Sequence, residues 1–319
     1  MYRASIPLGA GRVAAVPSVS VVIPARDATA TIGDTLAGLA AQEHVPDEVI
    51  VVDDGSEDGT VALAEAASVV TRVVRGAAEG PGAARNAGAA AATSDVLAFL
   101  DADCEPQPGW LRAGIEALER ADLVQGRTTP PPGAPVGPFD RTLWVVAPWG
   151  LFETANLFVR RELFERLGGF EPWLSPARSK ELAEDVWFGW RAVRAGARTA
   201  FCEEALVHHA VFERSPGDYV AERLRLRYFP AMAKRIPELR ETFFWQHLFL
   251  TPRSAAFDAA VAGAALAIAT RRLWPLALAL PYARIARRRP RAWPVDLAAD
   301  AVGLASLLAG SARARSLVL

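Results

Sequence analysis

The sequence predicts an α/β fold in which a mostly parallel sheet is flanked by helices and followed by a helical, apolar C-terminal region. In the first two thirds of the chain, short β-branched runs alternate with helical patterns, an order typical of parallel sheets covered on both faces. Beyond residue 235 the composition changes to apolar runs separated by arginine clusters. We therefore expect an α/β body with a compositionally distinct end.

The first half of this body contains four strand patterns. The opening strand, Val19 to Ile23, is a β-branched run that stops at Pro24, as a buried strand does before a turn. The helix after it begins with the capping-box-like segment Thr31 to Asp34 and carries apolar side chains at helical spacing. The remaining elements follow in the order strand 49–52, helix from about 60, strand near 69–74, helix 80–92 and strand 96–100.

The second half begins after a Pro/Gly-rich segment, 129–138, that reads as a loop. Its predicted elements are an apolar run 151–159, a helix near 161–167, a helix 186–195, short strands 198–202 and 206–209, and a basic helical pattern 218–234. The glycines that follow the two predicted helices, at 168 and 196, are typical helix ends.

The C-terminal region contains apolar runs over 255–270, 273–280 and 301–312. None of them reaches the 18 or so uncharged apolar residues that a membrane-spanning helix needs. Two interpretations remain open: a small helical subdomain packed on the body, or helices that lie in or dip into a bilayer with cationic flanks. We expect the second, membrane association.

The composition excludes several classes of protein. The 319 residues are 51% hydrophobic and 22% charged, which is too apolar for a disordered tail. The two cysteines, Cys104 and Cys202, cannot build a disulfide scaffold and suggest a reducing compartment. The first seventeen residues lack an apolar stretch long enough for a signal peptide, so we expect no secretion by that route.

The net charge of −1 hides an uneven distribution. Residues 1–221 carry a net charge of −11, residues 222–291 carry +10, and the last 28 residues carry 0. A basic segment beside an acidic body indicates an anionic partner such as a membrane surface, a phosphorylated ligand or nucleic acid, although a solvated helix surface has the same composition. Of these partners we expect a membrane surface and no nucleic acid.

Paired acidic residues follow two of the predicted strands. Asp53 and Asp54 end the second strand, and Asp101 and Asp103 follow the fourth. Ligands of open α/β sheets bind beyond the carboxyl ends of the strands, so both pairs are expected at one edge. One such pair alone is often a turn or a helix cap, whereas two suggest a site that needs carboxylates. The carboxylate oxygens of Asp101 and Asp103 suit Mg²⁺ or Mn²⁺, which could neutralise a diphosphate and stabilise it as a leaving group.

Three further groups are candidates for the same site. The segment Gly80 to Asn86 lacks the glycine spacing of a dinucleotide-binding turn, which excludes that motif. Within this segment, Arg85 could reach a nucleotide phosphate or form a surface ion pair. Asp185, preceded by Glu184, begins a helix whose positive end keeps a carboxylate ionised, although the pair alone is compatible with a cap. One ring of His208-His209 could be a nitrogen ligand of the ion, or both could be structural.

Five sequence blocks occur in the order typical of glycosyltransferase family 2, and the chain resembles that family over about residues 18 to 235. The blocks are Val19 to Pro24, Val51 to Ser56, Gly82 to Gly88, Phe99 to Asp103, and Gly168 to Phe170 followed by Glu184-Asp185. The resemblance implies a GT-A-type fold and an enzyme of the EC 2.4 type, which transfers a sugar from a nucleotide-diphosphate donor.

The resemblance also implies roles for residues on the donor side. The loop that embraces the nucleotide corresponds to Pro24, Ala25 and Arg26. Asp54 matches the carboxylate that reads the base, and its neighbour Asp53 is a weaker candidate. Arg85 matches a position that approaches the donor from the helix after the third strand.

On the catalytic side, Asp103 matches the metal-binding motif that holds the donor diphosphate, and Asp101 is expected to share this role. Asp185 matches the general base that deprotonates the acceptor hydroxyl for in-line displacement, which inverts the anomeric centre. Glu184 is expected to orient this base. We name His208 as the candidate nitrogen ligand of the divalent cation, Mg²⁺ or Mn²⁺.

The chain departs from the processive members of the family. It has no clear Gln-x-x-Arg-Trp block of the kind found in cellulose and hyaluronan synthases. Arg223, Arg225 and Arg227 occupy a roughly comparable place and could contact the diphosphate. We therefore expect single addition of a sugar rather than repeated transfer along a polymer.

The resemblance leads us to expect an inverting, metal-dependent glycosyltransferase at the cytoplasmic face of the cell membrane or, alternatively, in the cytoplasm. The expected acceptor is a hydroxyl of a cell-envelope or lipid-linked glycan. Two alternatives stay open. A polyprenyl-phosphate sugar synthase would transfer to a lipid phosphate and would not need Asp185 as a base, and an inactive relative would act as a membrane-bound scaffold.

We expect three parts in the chain. Residues 1–17 form an N-terminal tail, and residues 236–319 form the basic, apolar helical region. Between them, residues 18–235 form the catalytic domain, with a nucleotide-binding half over 18–128 and an acceptor half over 139–235.

Overall fold

A computed structural model describes residues 17–174 and 182–319 of the chain. The predicted tail, 1–17, lies outside the described residues except for Pro17. The strands are β1 (Val19–Ala25), β2 (Glu48–Asp53), β3 (Arg72–Arg75), β4 (Val96–Leu100), β5 (Cys104–Pro106), β6 (Leu123–Thr129), β7 (Asn156–Arg160) and β8 (Thr199–His209).

The helices alternate with these strands and then continue alone to the end of the chain. They are α1 (Ile32–Ala40), α2 (Thr60–Ala66), α3 (Pro81–Ala91), α4 (Trp110–Leu118), α5 (Arg161–Arg166), α6 (Glu184–Arg194), α7 (Pro216–Glu222), α8 (Phe229–Arg235), α9 (Leu239–Thr242), α10 (Pro252–Thr270), α11 (Leu280–Ala286) and α12 (Trp293–Ala314). Two 3₁₀ segments, Arg223–Tyr228 and Trp274–Ala279, lie between α7 and α8 and between α10 and α11.

All eight strands form one mixed sheet in the order β3-β2-β1-β4-β7-β6-β8-β5. β1 pairs in parallel with β2 and β4, β2 with β3, and β6 with β8. β7 is antiparallel to both of its neighbours, and β5 is antiparallel to β8. The carboxyl ends of β1, β2 and β4 therefore meet at one edge, and the predicted fold class, a mostly parallel sheet flanked by helices, is confirmed.

Apolar side chains cover both faces of this sheet. On one face, α1, α2 and α4 contribute to a cluster in which the Trp110 ring lies 4.9 Å from that of Phe158. On the other face, α3, α5 and α6 pack over a set of aromatic rings whose centroids are 5.1–5.3 Å apart. These rings belong to Phe99, Phe164, Phe170 and Phe188. The burial of these apolar side chains on both faces stabilises the sheet and fixes the direction of its loops.

Helix α3 approaches the sheet closely because it carries a glycine at the contact. A Cβ at Gly88 would overlap the side chain of Val22 and lie 2.9 Å from Cγ2 of Val52. This close contact holds α3 against β1 and β2.

Several elements differ from the sequence-based expectation. The two short strands predicted over 198–202 and 206–209 are one strand, β8, with an irregular register opposite Gly126 and Arg127. The predicted helix over 218–234 is divided into α7, a 3₁₀ segment and α8. Pro230, which lacks an N–H, lies in the first turn of α8 and favours a new helix start there. Helix α4 and strand β6 were not predicted.

The C-terminal helices pack on the end of the α/β body. Helix α12 lies against α7, the following 3₁₀ segment and α8, and Leu307 and Val318 are buried with Met232 and Leu239. Helix α10 and α11 form a smaller cluster around Phe257. By length and composition alone, α10 and α12 could each cross a membrane.

Candidate active site

A cavity of about 400 Å³ lies beyond the carboxyl ends of β1, β2 and β4. Seven of the predicted site residues line it: Pro24, Ala25, Arg26, Asp54, Arg85, Asp101 and Asp103. The other predicted residues, Asp53, Glu184, Asp185 and His208, are not part of its lining. The structure thus gathers the donor-side candidates and leaves the candidate base at a neighbouring position.

Asp54 is fixed at the end of β2 by two neighbouring segments. Its backbone N–H donates to the carbonyl of Ala25 at 2.8 Å, and its Oδ2 accepts from the backbone N–H of Gly80 at 3.0 Å. Its Oδ1 is buried and has no hydrogen-bond partner in the described part of the chain. A buried acceptor without a partner is costly, so this oxygen is suited to accept an N–H from a bound ligand.

Asp53, the weaker candidate, belongs to the turn rather than to the cavity. Its Oδ1 accepts from the backbone N–H of Ser56 at 3.0 Å, and its Oδ2 accepts from Arg75 at 2.9 Å. Burial alone would raise the pKa of Asp53, but these hydrogen bonds and the nearby guanidinium lower it. Asp53 therefore stays the weaker prediction, because it does not line the cavity and each of its oxygens already accepts a hydrogen bond.

Asp101 and Asp103 follow β4 in a tight turn that leads into β5. The N–H of Cys104 donates to the carbonyl of Asp101 at 3.1 Å, and the carbonyl of Asp103 accepts from the N–H of Ala210 at 2.9 Å. The first bond closes the turn, and the second anchors it to the residue that follows β8. Burial and the nearby Asp101 raise the pKa of Asp103, while His209 and Arg141 oppose this effect.

The imidazole beside this turn is that of His209, not His208. Nε2 of His209 lies 3.5 Å from Oδ2 of Asp103, whereas Nδ1 of His208 lies 3.3 Å from the hydroxyl of Thr129. Neighbouring side chains of a strand point to opposite faces, so only one of the two can reach the turn. The pairing of Cys104 with His209 selects the second ring, and we transfer the candidate ligand role to His209.

Arg85 connects the cavity to the start of α6. Its side chain is only 6% exposed and bonds Oδ1 of Asp101 at 2.6 Å and Oε1 of Glu184 at 3.4 Å. Burial opposes the charged guanidinium, but the two carboxylates outweigh it and raise the pKa of Arg85. The sequence suggested a phosphate contact or a surface ion pair. The structure shows a buried bridge and not a surface ion pair, and because Arg85 lines the cavity the phosphate contact stays a prediction.

Glu184 and Asp185 occupy the first turn of α6. The helix follows Ala183, which has the left-handed φ of 62°. Burial and the adjacent Glu184 raise the pKa of Asp185 well above its usual range, Arg85 opposes the rise, and Glu153 adds to it. Asp185 is therefore a carboxylate of increased basicity beside the buried bridge. The expectation that the helix start keeps it ionised is not met, because burial and Glu184 raise its pKa.

Sequence reasoning missed Arg141 and Phe212, which line the cavity and lie far along the chain from the predicted donor motifs. Their backbones pair with each other at 2.9 Å in both directions, and the guanidinium lies 4.5 Å from the ring centroid. The contact joins positions 71 residues apart in the chain, and neither lies in a recognisable motif. Arg141 supplies a cation facing Asp103, which no local signal could have indicated.

A second missed feature links two of the sequence blocks. The side-chain amide of Asn86 donates to the carbonyl of Phe170 at 2.8 Å and accepts from its N–H at 2.9 Å. A Cβ on Gly169, whose φ is +71°, would come within 2.6 Å of Oδ1 of Asn86. Asn86 therefore locks the glycine turn onto α3, next to Arg85.

The carboxylates of Asp101 and Asp103 fit a divalent cation only if a bound ligand supplies further oxygen atoms to it. In the described ranges, three or more His, Cys, Asp or Glu side chains do not gather into a metal site. Asp101 and Asp103 offer hard oxygen donors at the cavity wall, and Mg²⁺ or Mn²⁺ is usually held by one or two carboxylates together with substrate phosphates. The donor set therefore fits an ion that binds together with a diphosphate.

Comparison with known proteins identifies the family. Residues 20–168 match the model of glycosyl transferase family 2. The glycosyltransferase AglE of Haloferax volcanii is 30% identical over 226 residues, which cover 66% of this chain and 72% of AglE. The pre-mycofactocin glycosyltransferase of Mycobacterium tuberculosis is 29% identical over 216 residues, 60% of this chain and 42% of that protein.

Solved structures support the same fold. The mannosyltransferase PcManGT of Pyrobaculum calidifontis, solved with GDP-Man and Mn²⁺, superposes with a TM-score of 0.66 at 22% identity over 92% of this chain and 87% of its own. TarS 1–349 of S. aureus, solved with UDP-GlcNAc, gives a TM-score of 0.50 at 18% identity over 94% and 92% of the two chains. The chain therefore belongs to glycosyltransferase family 2 and is a glycosyltransferase with a GT-A fold.

Proposed function

We propose that the protein is an inverting, metal-dependent glycosyltransferase that moves a sugar from a nucleotide diphosphate to a hydroxyl of a glycan acceptor. The observation that carries this proposal is the cavity in which Asp54, Asp101 and Asp103 meet, with Arg85 leading from it to the candidate base Asp185. A donor site, a diphosphate site and a base are the three parts that such a transfer requires.

The nucleotide end of the donor would lie between the segment Pro24 to Arg26 and the start of α3. Oδ1 of Asp54, which is buried and without a partner, would accept an N–H of the base. The backbone N–H of Gly80 holds Oδ2, and this bond fixes the orientation of the carboxylate and therefore of Oδ1. A pre-organised acceptor of this kind selects a ligand with a donor at that position.

The diphosphate would lie at Asp101 and Asp103, which would hold Mg²⁺ or Mn²⁺ together with phosphate oxygens. The bound cation would neutralise the charge that develops on the departing nucleoside diphosphate. PcManGT was solved with Mn²⁺, which supports the same requirement here. Arg141, which also lines the cavity, adds a positive charge that acts on Asp103.

Asp185 would act on the acceptor. The acceptor hydroxyl oxygen forms a bond to the anomeric carbon of the sugar while the bond from that carbon to the phosphate oxygen breaks. The hydroxyl proton passes to the carboxylate of Asp185, and one displacement inverts the anomeric centre. The raised pKa of this carboxyl makes it a stronger base.

We further propose that residues 18–235 form the catalytic domain and that residues 236–319 associate with the cytoplasmic face of a membrane. The end of α10 and the following segment expose Ile268 (81%), Leu273 (80%) and Trp274 (64%) beside two arginines. An apolar surface with a cationic flank is typical of segments that enter the membrane interface. Such a location suits a cell-envelope or lipid-linked glycan acceptor.

Thermal unfolding of the full chain with a panel of UDP-, GDP- and dTDP-sugars, each with Mn²⁺ or with EDTA, tests the proposal. At least one donor should raise the Tm by about 5 °C or more near saturation, and only with Mn²⁺. Asp103→Asn should remove this shift, whereas Glu105→Gln, an exposed acid two residues further along, should retain it. Equal stabilisation with Mn²⁺ and EDTA, or a normal shift in Asp103→Asn, would contradict the proposed cation site.

A further inference from the structure

A second cavity, of about 370 Å³, lies beside α6 and shares no lining residue with the donor cavity. Its floor comes from Gln125 of β6 and the first residues of β8. Trp190 of α6 forms one wall, and the segment 147–153, which precedes β7, covers it. Nothing in the proposed function uses this cavity.

The covering segment has a defined conformation. Gly150 and Phe152 have positive φ values of 77° and 53°, a region that a phenylalanine rarely adopts. The indole N–H of Trp190 donates to the carbonyl of Gly150 at 2.9 Å, and a Cβ on Gly150 would lie 2.8 Å from the hydroxyl oxygen of Thr242. These contacts fix the shape of the cavity wall.

Gln125, which lines this cavity, has one side-chain atom without a hydrogen-bond partner among the described residues. Its side chain is 5% exposed, and its Nε2 donates to the carbonyls of Gly126, Glu153 and Asn156 at 3.4, 3.1 and 2.9 Å. Because all three partners are carbonyl oxygens, the side-chain atom that bonds them is the amide nitrogen. The atom that is left over is the amide oxygen, Oε1. That Oε1 is buried and has no partner among the described residues. A ligand with a hydroxyl or N–H donor would satisfy it.

The chemistry of the lining selects the class of ligand. Among the described residues, no lysine, arginine or histidine lines the cavity, so a phosphate or another anion would find no cation. Gln125 and Glu153 are acceptors, and Thr199 and Thr242 add hydroxyls. Trp149, whose residue is 45% exposed, offers an apolar ring surface. Acceptors, hydroxyls and an indole face together match an uncharged saccharide, which presents O–H donors and C–H faces.

The position of the cavity relates it to the acceptor side of the reaction. Helix α6 carries Asp185 in its first turn and Trp190 five residues later, which is about 7.5 Å along the axis. Glu153, which lines the cavity, acts electrostatically on Asp185. The cavity is therefore linked to the candidate base through helix α6 and through Glu153.

We propose that this cavity is a subsite for an uncharged saccharide unit of the acceptor, held by Trp149 and by the acceptors of Gln125 and Glu153. The proposal rests on the proposed function, because it assigns the cavity to the glycan that receives the sugar. It deepens that function by assigning a neutral glycan, rather than a lipid phosphate alone, to the acceptor side.

Saturation-transfer NMR on the full chain tests the subsite. The probes are the methyl glycosides of glucose, galactose, mannose and N-acetylglucosamine, together with cellobiose, maltose and mannobiose. At least one probe should bind the wild-type protein, and Trp149→Ala should weaken its affinity about tenfold, as loss of a central aromatic contact does. Trp144→Ala removes an exposed indole that lies three residues before the covering segment and does not line the cavity, and it should leave the affinity unchanged.

Binding of none of the probes, equal binding by Trp149→Ala and wild type, or an equal loss in Trp144→Ala would overturn the subsite. Nucleotide-sugar binding with Mn²⁺, measured on the same samples, keeps the two proposals separate. If the donor binds and the saccharides do not, the subsite fails alone. If saccharides bind in a Trp149-dependent manner and no donor binds, the proposed function fails, and the cavity remains a saccharide site. Unchanged Tm values of the variants show that they are folded.

Discussion

Replacement of Arg85 by glutamine removes the charge that joins the donor cavity to the candidate base. The guanidinium bonds Asp101 at 2.6 Å and Glu184 at 3.4 Å, and the side chains of Arg85 and Glu184 are 6% and 8% exposed. Glutamine retains a polar group of shorter reach but leaves the buried carboxylate of Glu184 without a cation.

The expected loss of stability follows from this burial. Removing one member of a buried ion pair costs about 3–5 kcal/mol, because the other charge stays buried without compensation. Asp101 is 31% exposed and can partly recover water, so the loss should lie near the lower end, about 3 kcal/mol. That is a large share of the roughly 5–15 kcal/mol that stabilises a typical domain.

The same substitution should change the pH dependence of turnover. Arg85 lowers the pKa of Asp185 against the opposing effects of burial and Glu184. A base must be deprotonated to act, so turnover rises with pH through its pKa. Loss of the cation raises that pKa, and the acidic limb of the kcat profile should move to higher pH.

Urea unfolding and kcat–pH profiles of wild type, Arg85→Gln and Arg85→Lys measure both effects. The lysine variant keeps the charge but not the fork that reaches two carboxylates, so it should be intermediate. Arg120→Gln, at an exposed position after α4, should change the free energy of unfolding by less than about 0.5 kcal/mol. If Arg85→Gln unfolds like Arg120→Gln and keeps the wild-type acidic limb, the bridge does not have the role that we assign to it.

Three further expectations concern the base, the helix–sheet contact and the membrane. Asp185→Asn should lower kcat by about 10²–10⁴-fold with donor affinity retained; loss of donor affinity instead would remove Asp185 from the acceptor side. Gly88→Ala should lower the free energy of unfolding by about 1–2 kcal/mol, because the added Cβ overlaps the sheet. Gly33→Ala should not lower it, because there is open space around Gly33. Equal effects of the two substitutions would refute the close contact. Leu273→Glu combined with Trp274→Glu should reduce flotation with phosphatidylglycerol vesicles about tenfold, and an unchanged fraction bound would show that this surface does not meet lipid.

The parts of the fold and site that could be predicted are those with a local signal. β4 is a continuous apolar run followed at once by Asp101 and Asp103, so its position at the sheet edge follows from the sequence alone. β6 escaped prediction because its buried residues include Gln125 and Gly126, which interrupt the apolar pattern. Both residues are explained by tertiary contacts. Gln125 bonds backbone carbonyls, and a Cβ on Gly126 would overlap Asn156. Helix α4, in contrast, has buried residues at helical spacing, so its sequence does carry a local signal.

Features that depend on long-range pairing could not be predicted. The choice between His208 and His209 depends on how β5 and β8 align, and a shift of one residue would reverse it. The Arg85–Glu184 bond joins positions 99 residues apart. No pattern near Arg85 distinguishes this buried bridge from the surface ion pair that the sequence also allowed.

The central claim is that one cavity binds the nucleotide diphosphate together with a divalent cation. A crystal structure of the full chain with Mn²⁺ and the nucleoside diphosphate that stabilises it most would test this directly. We expect an anomalous manganese peak within coordinating distance of Asp103 and the diphosphate, and the base within hydrogen-bond distance of Oδ1 of Asp54. A nucleotide bound elsewhere, or a manganese ion remote from Asp103, would contradict the account.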